Sequence, residues 1–152
     1  MVATAYVGLA GLAYLRAREE IRAGRSARVA VGWRDVGFFA DGWSLPRRFG
    51  HVLMRRADVS GGSIRLPLRA STPYRLVLRA EPTGETPARI AASLNDVPLG
   101  EVDLARESRR IGTTELSIPA ATARDGVNRL TLRPLDAESF QVWLVRVEPV
   151  GP

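Results

Sequence analysis

The chain has 152 residues, enough for one domain with a sizeable core and a short appendage. It contains no cysteine and one histidine, His51, which excludes a disulfide framework, thiolate metal sites and any triad that needs a second imidazole. All 22 basic residues are arginine, and the net charge of +6 favours anionic partners. The arginines form no basic run, so we expect no nucleic-acid partner.

The first predicted element is a hydrophobic helix. Residues 2–15 carry no charge, and the helix continues past Arg16 until Gly24 stops it. An uncharged helix of this length spans about 21 Å, less than the roughly 30 Å of a bilayer core. Because the run is apolar on all sides, we favour a membrane anchor or intramembrane contact helix over a helix buried against the domain. A secretory signal fits poorly, since no basic segment precedes the run.

Small residues along this helix favour close packing against a partner helix, and the arginines that follow suit lipid headgroups. The expected contacts are Ala5, Gly8, Gly11, Tyr14, Arg16 and Arg18. The arginine-rich flank favours a cytoplasmic position for the rest of the chain.

The remainder of the chain alternates apolar and polar residues with period two, as in half-buried strands. Ile64, Leu66 and Leu68 share one face, while Arg65 and Arg69 take the other. We predict an all-β antiparallel sandwich, a jelly roll of about nine strands, with residues 1–25 as helix and linker and 26–152 as the sandwich. The predicted strands are 27–33, 51–57, 63–70, 74–80, 89–94, 97–104, 111–118, 127–132 and 140–147.

Three tryptophans, Trp33, Trp43 and Trp143, are the candidate contacts for a ligand or a partner. Trp33 and Trp43 flank predicted loops. Strict alternation places Trp143 on the face of Val145 and Val147. Because the other face of this strand is apolar as well, we favour a core or interface position for Trp143. The acidic residues form no DxDxD run and no recognised catalytic motif, so we predict no catalytic residue, no metal site and no cofactor.

Four segments resemble the galactose-binding-domain-like jelly rolls, the sandwich type of carbohydrate-binding modules. They are residues 39–44 (FADGWS), 94–100 (LNDVPLG), 118–120 (IPA) and 125–132 (DGVNRLTL). The resemblance covers roughly residues 35–149. It implies the jelly-roll fold and, because such modules commonly face the cell exterior, an extracytoplasmic position.

Together these features predict a non-catalytic accessory subunit of a bacterial membrane complex, such as a photosynthetic or respiratory one. The expected partners are other membrane subunits and lipid headgroups. The alternative is a carbohydrate-binding module that handles cell-envelope glycans, with a glycan as partner. A hydrolase, with two carboxylates facing across a cleft, is the third hypothesis.

Overall fold

A computed structural model describes residues 2–32, 35–104, 106–107, 110–136 and 139–151. It contains one helix, α1 (Val2–Arg22), and twelve strands within the described residues. The strands are β1 (Ala27–Ala30), β2 (Arg47–Phe49), β3 (Val52–Ala57), β4 (Gly62–Leu68), β5 (Tyr74–Pro82), β6 (Ala88–Leu94), β7 (Val97–Leu104), β8 (Arg106–Glu107), β9 (Arg110–Ile111), β10 (Thr113–Ile118), β11 (Gly126–Pro134) and β12 (Phe140–Pro149).

The strands form two packed antiparallel sheets. A six-stranded sheet has the order β10-β5-β12-β3-β2, with β1 also paired to β12, and a four-stranded sheet has the order β4-β11-β6-β7. The long β12 pairs with β3 near its start and with β1 further along. The predicted all-β sandwich preceded by one helix is therefore confirmed.

The core lies between the two sheets and follows the alternation of the sequence. The fully buried side chains include Ile64 and Leu66 on β4 and Leu76 and Leu78 on β5. Pro67 indicates an edge strand, since proline cannot donate to a neighbouring strand, and β4 is an edge strand. Asn128, also fully buried, accepts from the Arg124 amide and donates to the Arg124 and Gly126 carbonyls, which fixes the turn before β11.

The second half of α1 packs on the sandwich. The helix lies against β1 and β4, which are edge strands of different sheets, and buries Ala17 and Ile21 in the shared core. The helix ends at Arg22 and is followed by Gly24, whose φ of 73° is readily adopted by glycine. The Gly24 amide donates to the Ile21 carbonyl and the Arg25 amide to the Glu20 carbonyl, which satisfies the end of the helix.

The predicted membrane anchor is wrong. Within the described residues no helix is both long and apolar enough to span a bilayer. The physical reason is that charge begins at Arg16, so the last turns of α1 carry Arg18, Glu19, Glu20 and Arg22 and use their apolar residues against the sandwich. The membrane-anchored localisation is overturned with the anchor, whichever side of the membrane was expected to carry the sandwich. The division into residues 1–25 and 26–152 stays a prediction.

Candidate functional site

A β-bulge on β12 decides where Trp143 lies. Residues of β12 that join the core are Phe140, Val142, Val145 and Val147. The step of three between Val142 and Val145 breaks the period of two, because the pairing with β5 shifts between Val142 and Leu144.

The bulge turns Trp143 away from the core. Leu144 is paired with Arg79 of β5, and Trp143 is the additional residue beside it. Trp143 therefore lies on the outer face of the six-stranded sheet, the face turned away from the four-stranded sheet. The prediction that it shares a face with Val145 and Val147 is wrong, since that prediction assumed an uninterrupted strand.

The indole of Trp143 is half-buried, and a charged side chain lies against its ring. The Arg79 guanidinium lies over it, 5.6 Å from the ring centroid, within the range of a cation–π interaction. On the same face, Gln141 Nε2 donates to Glu81 Oε1 across 2.7 Å, and both residues are buried. The structure thus places an aromatic surface beside a charged donor and a fixed amide–carboxylate pair.

One end of this face is electrostatically balanced. Arg75 Nε donates to Glu148 Oε2 across 2.8 Å, and Arg75 Nη1 lies 3.9 Å from Glu115. The hydrogen bond and charge of Glu148, and then the charge of Glu115, raise the pKa of Arg75 above its ordinary value. Arg146 Nε lies 2.7 Å from the other carboxylate oxygen of Glu148. This end of the face therefore consists of compensated charges.

Trp43 has a structural role. Its ring lies in edge contact with Phe39 and Phe140, with centroids 5.1 and 5.8 Å away, and its Nε1 donates to the Ser63 carbonyl. A β-carbon on Gly62 would meet the same ring at 2.4 Å, so one surface of the indole is covered by backbone. Trp43 therefore closes one end of the sandwich. Trp33 lies outside the described residues.

The residues of α1 that were predicted to contact a partner lie in different environments. For Ala5 and Gly8 the structure describes the helical backbone but not the environment of the side chains. Tyr14 packs on Phe38 with ring centroids 5.4 Å apart, and burial raises the pKa of its phenol. Gly11 and Arg16 are exposed, and Arg18 is partly buried. That they contact a partner stays a prediction.

A groove of about 1100 Å³ lies between α1 and β1. The helix contributes Leu12 and Leu15 to its lining, and the opposite wall includes Arg28 and Ala30. Its lining also includes charged side chains from both walls.

The fold was compared with proteins of known structure and family. It is the jelly-roll sandwich of carbohydrate-binding modules, so the resemblance of the sequence is confirmed at the level of fold. No family model matches the sequence, and no curated protein matches it either.

Three solved structures illustrate the similarity. The C-terminal CBM6 of LamC from Zobellia galactanivorans superposes with a TM-score of 0.56 at 11% identity, over 82% of this chain and 99% of that one. A CBM36 in complex with calcium and xylotriose gives 0.51 at 8% identity, over 81% and 98%. CsCBM6-3 from Clostridium stercorarium, in complex with cellobiose, gives 0.50 at 9% identity, over 82% and 93%.

These similarities correct the functional prediction. The structural matches are carbohydrate-binding modules, and the helix that was to hold the chain in a membrane complex is not a span. The predicted role as an accessory subunit among membrane proteins and lipid headgroups is therefore wrong. The glycan alternative agrees better with the fold.

A calcium ion accompanies xylotriose in the CBM36 structure. Calcium needs several converging oxygen ligands. Among the residues that this structure describes, no three Asp, Glu or His side chains converge in that way. No part of the proposed binding depends on such an ion.

Two residues of this face, Arg79 and Arg28, could not be identified as site residues from the sequence. Arg79 and Arg28 each occupy the polar position of an alternating strand, which is also what an ordinary solvated face requires. Only the register of the sheet shows that both lie on the outer face that Trp143 joins. The only sequence feature that pointed to these arginines was the positive net charge of the whole chain, which favours anionic partners.

Proposed function

We propose that this protein is a non-catalytic glycan-binding module whose ligand lies on the outer face of the six-stranded sheet, over Trp143. The observation that carries the proposal is the bulge that places this half-buried indole outside the core. Structural relatives in complex with xylotriose and cellobiose support it through their fold.

The chemistry of the face suits a sugar ring. A pyranose presents an apolar face of C–H groups and a rim of hydroxyls, so it needs an aromatic surface together with hydrogen-bonding groups. Trp143 supplies the surface. Arg79, whose guanidinium lies over the ring, supplies donors, and the buried pair of Glu81 and Gln141 supplies a rigid polar neighbour.

The acids near turns support a non-catalytic role, because several have structural partners. Asp58 accepts from the Ser60 amide, Asp125 from the Ala70 amide, and Asp136 from the Arg89 amide and guanidinium. Such contacts stabilise loops and strand ends. A hydrolase of the predicted third kind needs two free carboxylates across a cleft.

The test is calorimetric titration with oligosaccharides of several backbones, among them xylo-, cello- and uronate-containing oligosaccharides. We expect saturable binding to at least one of them. Trp143→Ala should weaken that binding at least about tenfold, because a central aromatic contact commonly contributes more than 1.4 kcal/mol. Trp143→Phe should keep part of the affinity, since it retains an aromatic ring.

The matched control is Val127→Ala. Val127 is an exposed apolar side chain, 61% accessible, on β11 of the other sheet, and its loss should leave binding unchanged. Thermal unfolding of each variant confirms that it is folded. Absence of binding to every oligosaccharide, or equal binding by folded Trp143→Ala and the native protein, would overturn the proposal.

A further inference from the structure

We infer that the glycan bound at this face is anionic, with carboxylate or sulfate groups held by arginines around Trp143. This inference rests on the proposed function and specifies its ligand. It follows from the register of the strands and from the distribution of charge across the face.

The register brings arginines from neighbouring strands together. Arg28 of β1 is directly paired with Arg146 of β12, so both side chains lie on the outer face. Arg146 is in turn paired with Val77 of β5, and Arg79 follows two residues later on the same face. Arg146 already has Glu148 as its carboxylate partner, so a bound anion would compensate Arg28 and Arg79.

The charges of the face do not cancel. Over β1, β3, β5, β10 and β12, the register places five arginines on the outer face against three glutamates. The arginines are Arg28, Arg56, Arg75, Arg79 and Arg146, and the glutamates are Glu81, Glu115 and Glu148.

The arginines that remain uncompensated lie on β1, β3 and β5, the three strands that pair with β12, the strand of Trp143. Glu115 and Glu148 contact Arg75 and Arg146, as described above, and Glu81 is buried with Gln141 as its partner. Over the described part of the chain, Arg28, Arg56 and Arg79 have no carboxylate within 4 Å, the distance of an ion pair.

The geometry favours an acidic sugar over a small inorganic anion. Guanidinium groups bind carboxylate and sulfate through paired N–H donors. Arg79 is held over the Trp143 ring, so a group that binds this guanidinium is brought next to the indole. A sugar that carries its own acid uses both surfaces at once, whereas inorganic sulfate leaves the indole unused.

The experiment uses pairs of ligands that share a sugar backbone and differ in charge. Binding of an oligogalacturonate is compared with binding of its methyl ester, and a sulfated oligosaccharide with its desulfated backbone. We expect the acidic form of at least one pair to bind at least about tenfold more tightly at low salt. Whichever pair shows the preference distinguishes carboxylate from sulfate. Arg79→Gln and Arg28→Gln should each reduce it severalfold.

The matched control is Arg133→Gln, which removes an exposed arginine from β11 of the other sheet. It lowers the net charge equally and should leave the preference unchanged. If Arg133→Gln weakens binding as much as Arg79→Gln does, the attraction is a general field and the inference is overturned.

Two further outcomes separate the inference from the proposed function. Equal binding of the acid and neutral forms, lost in Trp143→Ala, overturns the inference and leaves the glycan module standing. Binding of single-stranded DNA that depends on Arg79 and Arg28, with no binding of any glycan, overturns both.

Discussion

Arg55 and Asp35 form a bidentate ion pair inside one end of the sandwich. Arg55 Nε lies 2.7 Å from Asp35 Oδ2, and Arg55 Nη2 lies 2.6 Å from Asp35 Oδ1. Both residues are buried. Arg55 Nη1 also donates to the Ser44 carbonyl across 2.8 Å, and the guanidinium lies 5.4 Å from the centroid of Phe39. The pair therefore anchors the segment that leads to Trp43 onto β3.

Removal of one member of this pair should strongly destabilise the protein. Asp35→Ala leaves the Arg55 guanidinium buried without its carboxylate, and such a loss typically costs about 3–5 kcal/mol. Urea unfolding followed by circular dichroism measures the change. The control, Asp41→Ala, removes an exposed ion pair with Arg129 and should have far less effect. Equal losses in the two variants would show that the buried pair does not stabilise the fold.

Ile21→Ala should lower the free energy of unfolding by about 2–5 kcal/mol, because Ile21 is only 2% exposed and fills the space between α1 and the sandwich. Leu12→Ala is the control on the same helix. Leu12 is 62% exposed, so its loss should change stability by about 0.5 kcal/mol or less. The midpoints of denaturant-induced unfolding distinguish Ile21→Ala from Leu12→Ala. A small effect at Ile21 would mean that the helix does not belong to the core in solution.

Gly11→Ala tests the predicted close helix contact. Among the described residues, no atom beyond the helix itself lies within 4 Å of the position that a β-carbon at Gly11 would occupy. Alanine should therefore raise stability by about 0.5–1 kcal/mol through its higher helix propensity. The midpoint of thermal unfolding shows whether Gly11→Ala raises or lowers the stability of the protein. Destabilisation would instead reveal a neighbour packed against Gly11.

Gly62→Ala should destabilise the end of the sandwich that Trp43 closes. The new β-carbon would lie 2.4 Å from the Trp43 ring, and relief of that overlap should cost about 1–3 kcal/mol. It should also shift tryptophan fluorescence, since the indole must move. Gly24→Ala is the comparison: its site has open space and a positive φ, so it should cost about 1–2 kcal/mol without a spectral change. An unchanged emission spectrum in Gly62→Ala would contradict the contact.

Local alternation was sufficient to predict the two-layer core. Leu66 and Leu76 lie on the apolar faces of short strands, and both are fully buried between the sheets, as the pattern predicts. The helix was harder to interpret. Its first residues are apolar on all sides, and nothing in that run indicates that Ile21, beyond the first arginines, packs against β1 and β4.

Side-chain alternation is a local property of each strand, so it predicts the period of the strands, their turns and hence a β-sandwich. The face that Trp143 joins and the arginines that surround it depend instead on how the strands pair. The bulge on β12 arises where this strand pairs with its neighbours, and Arg28 meets Arg146 only across a pairing distant in sequence. Register is a property of two strands together, so no single segment of the chain contains it.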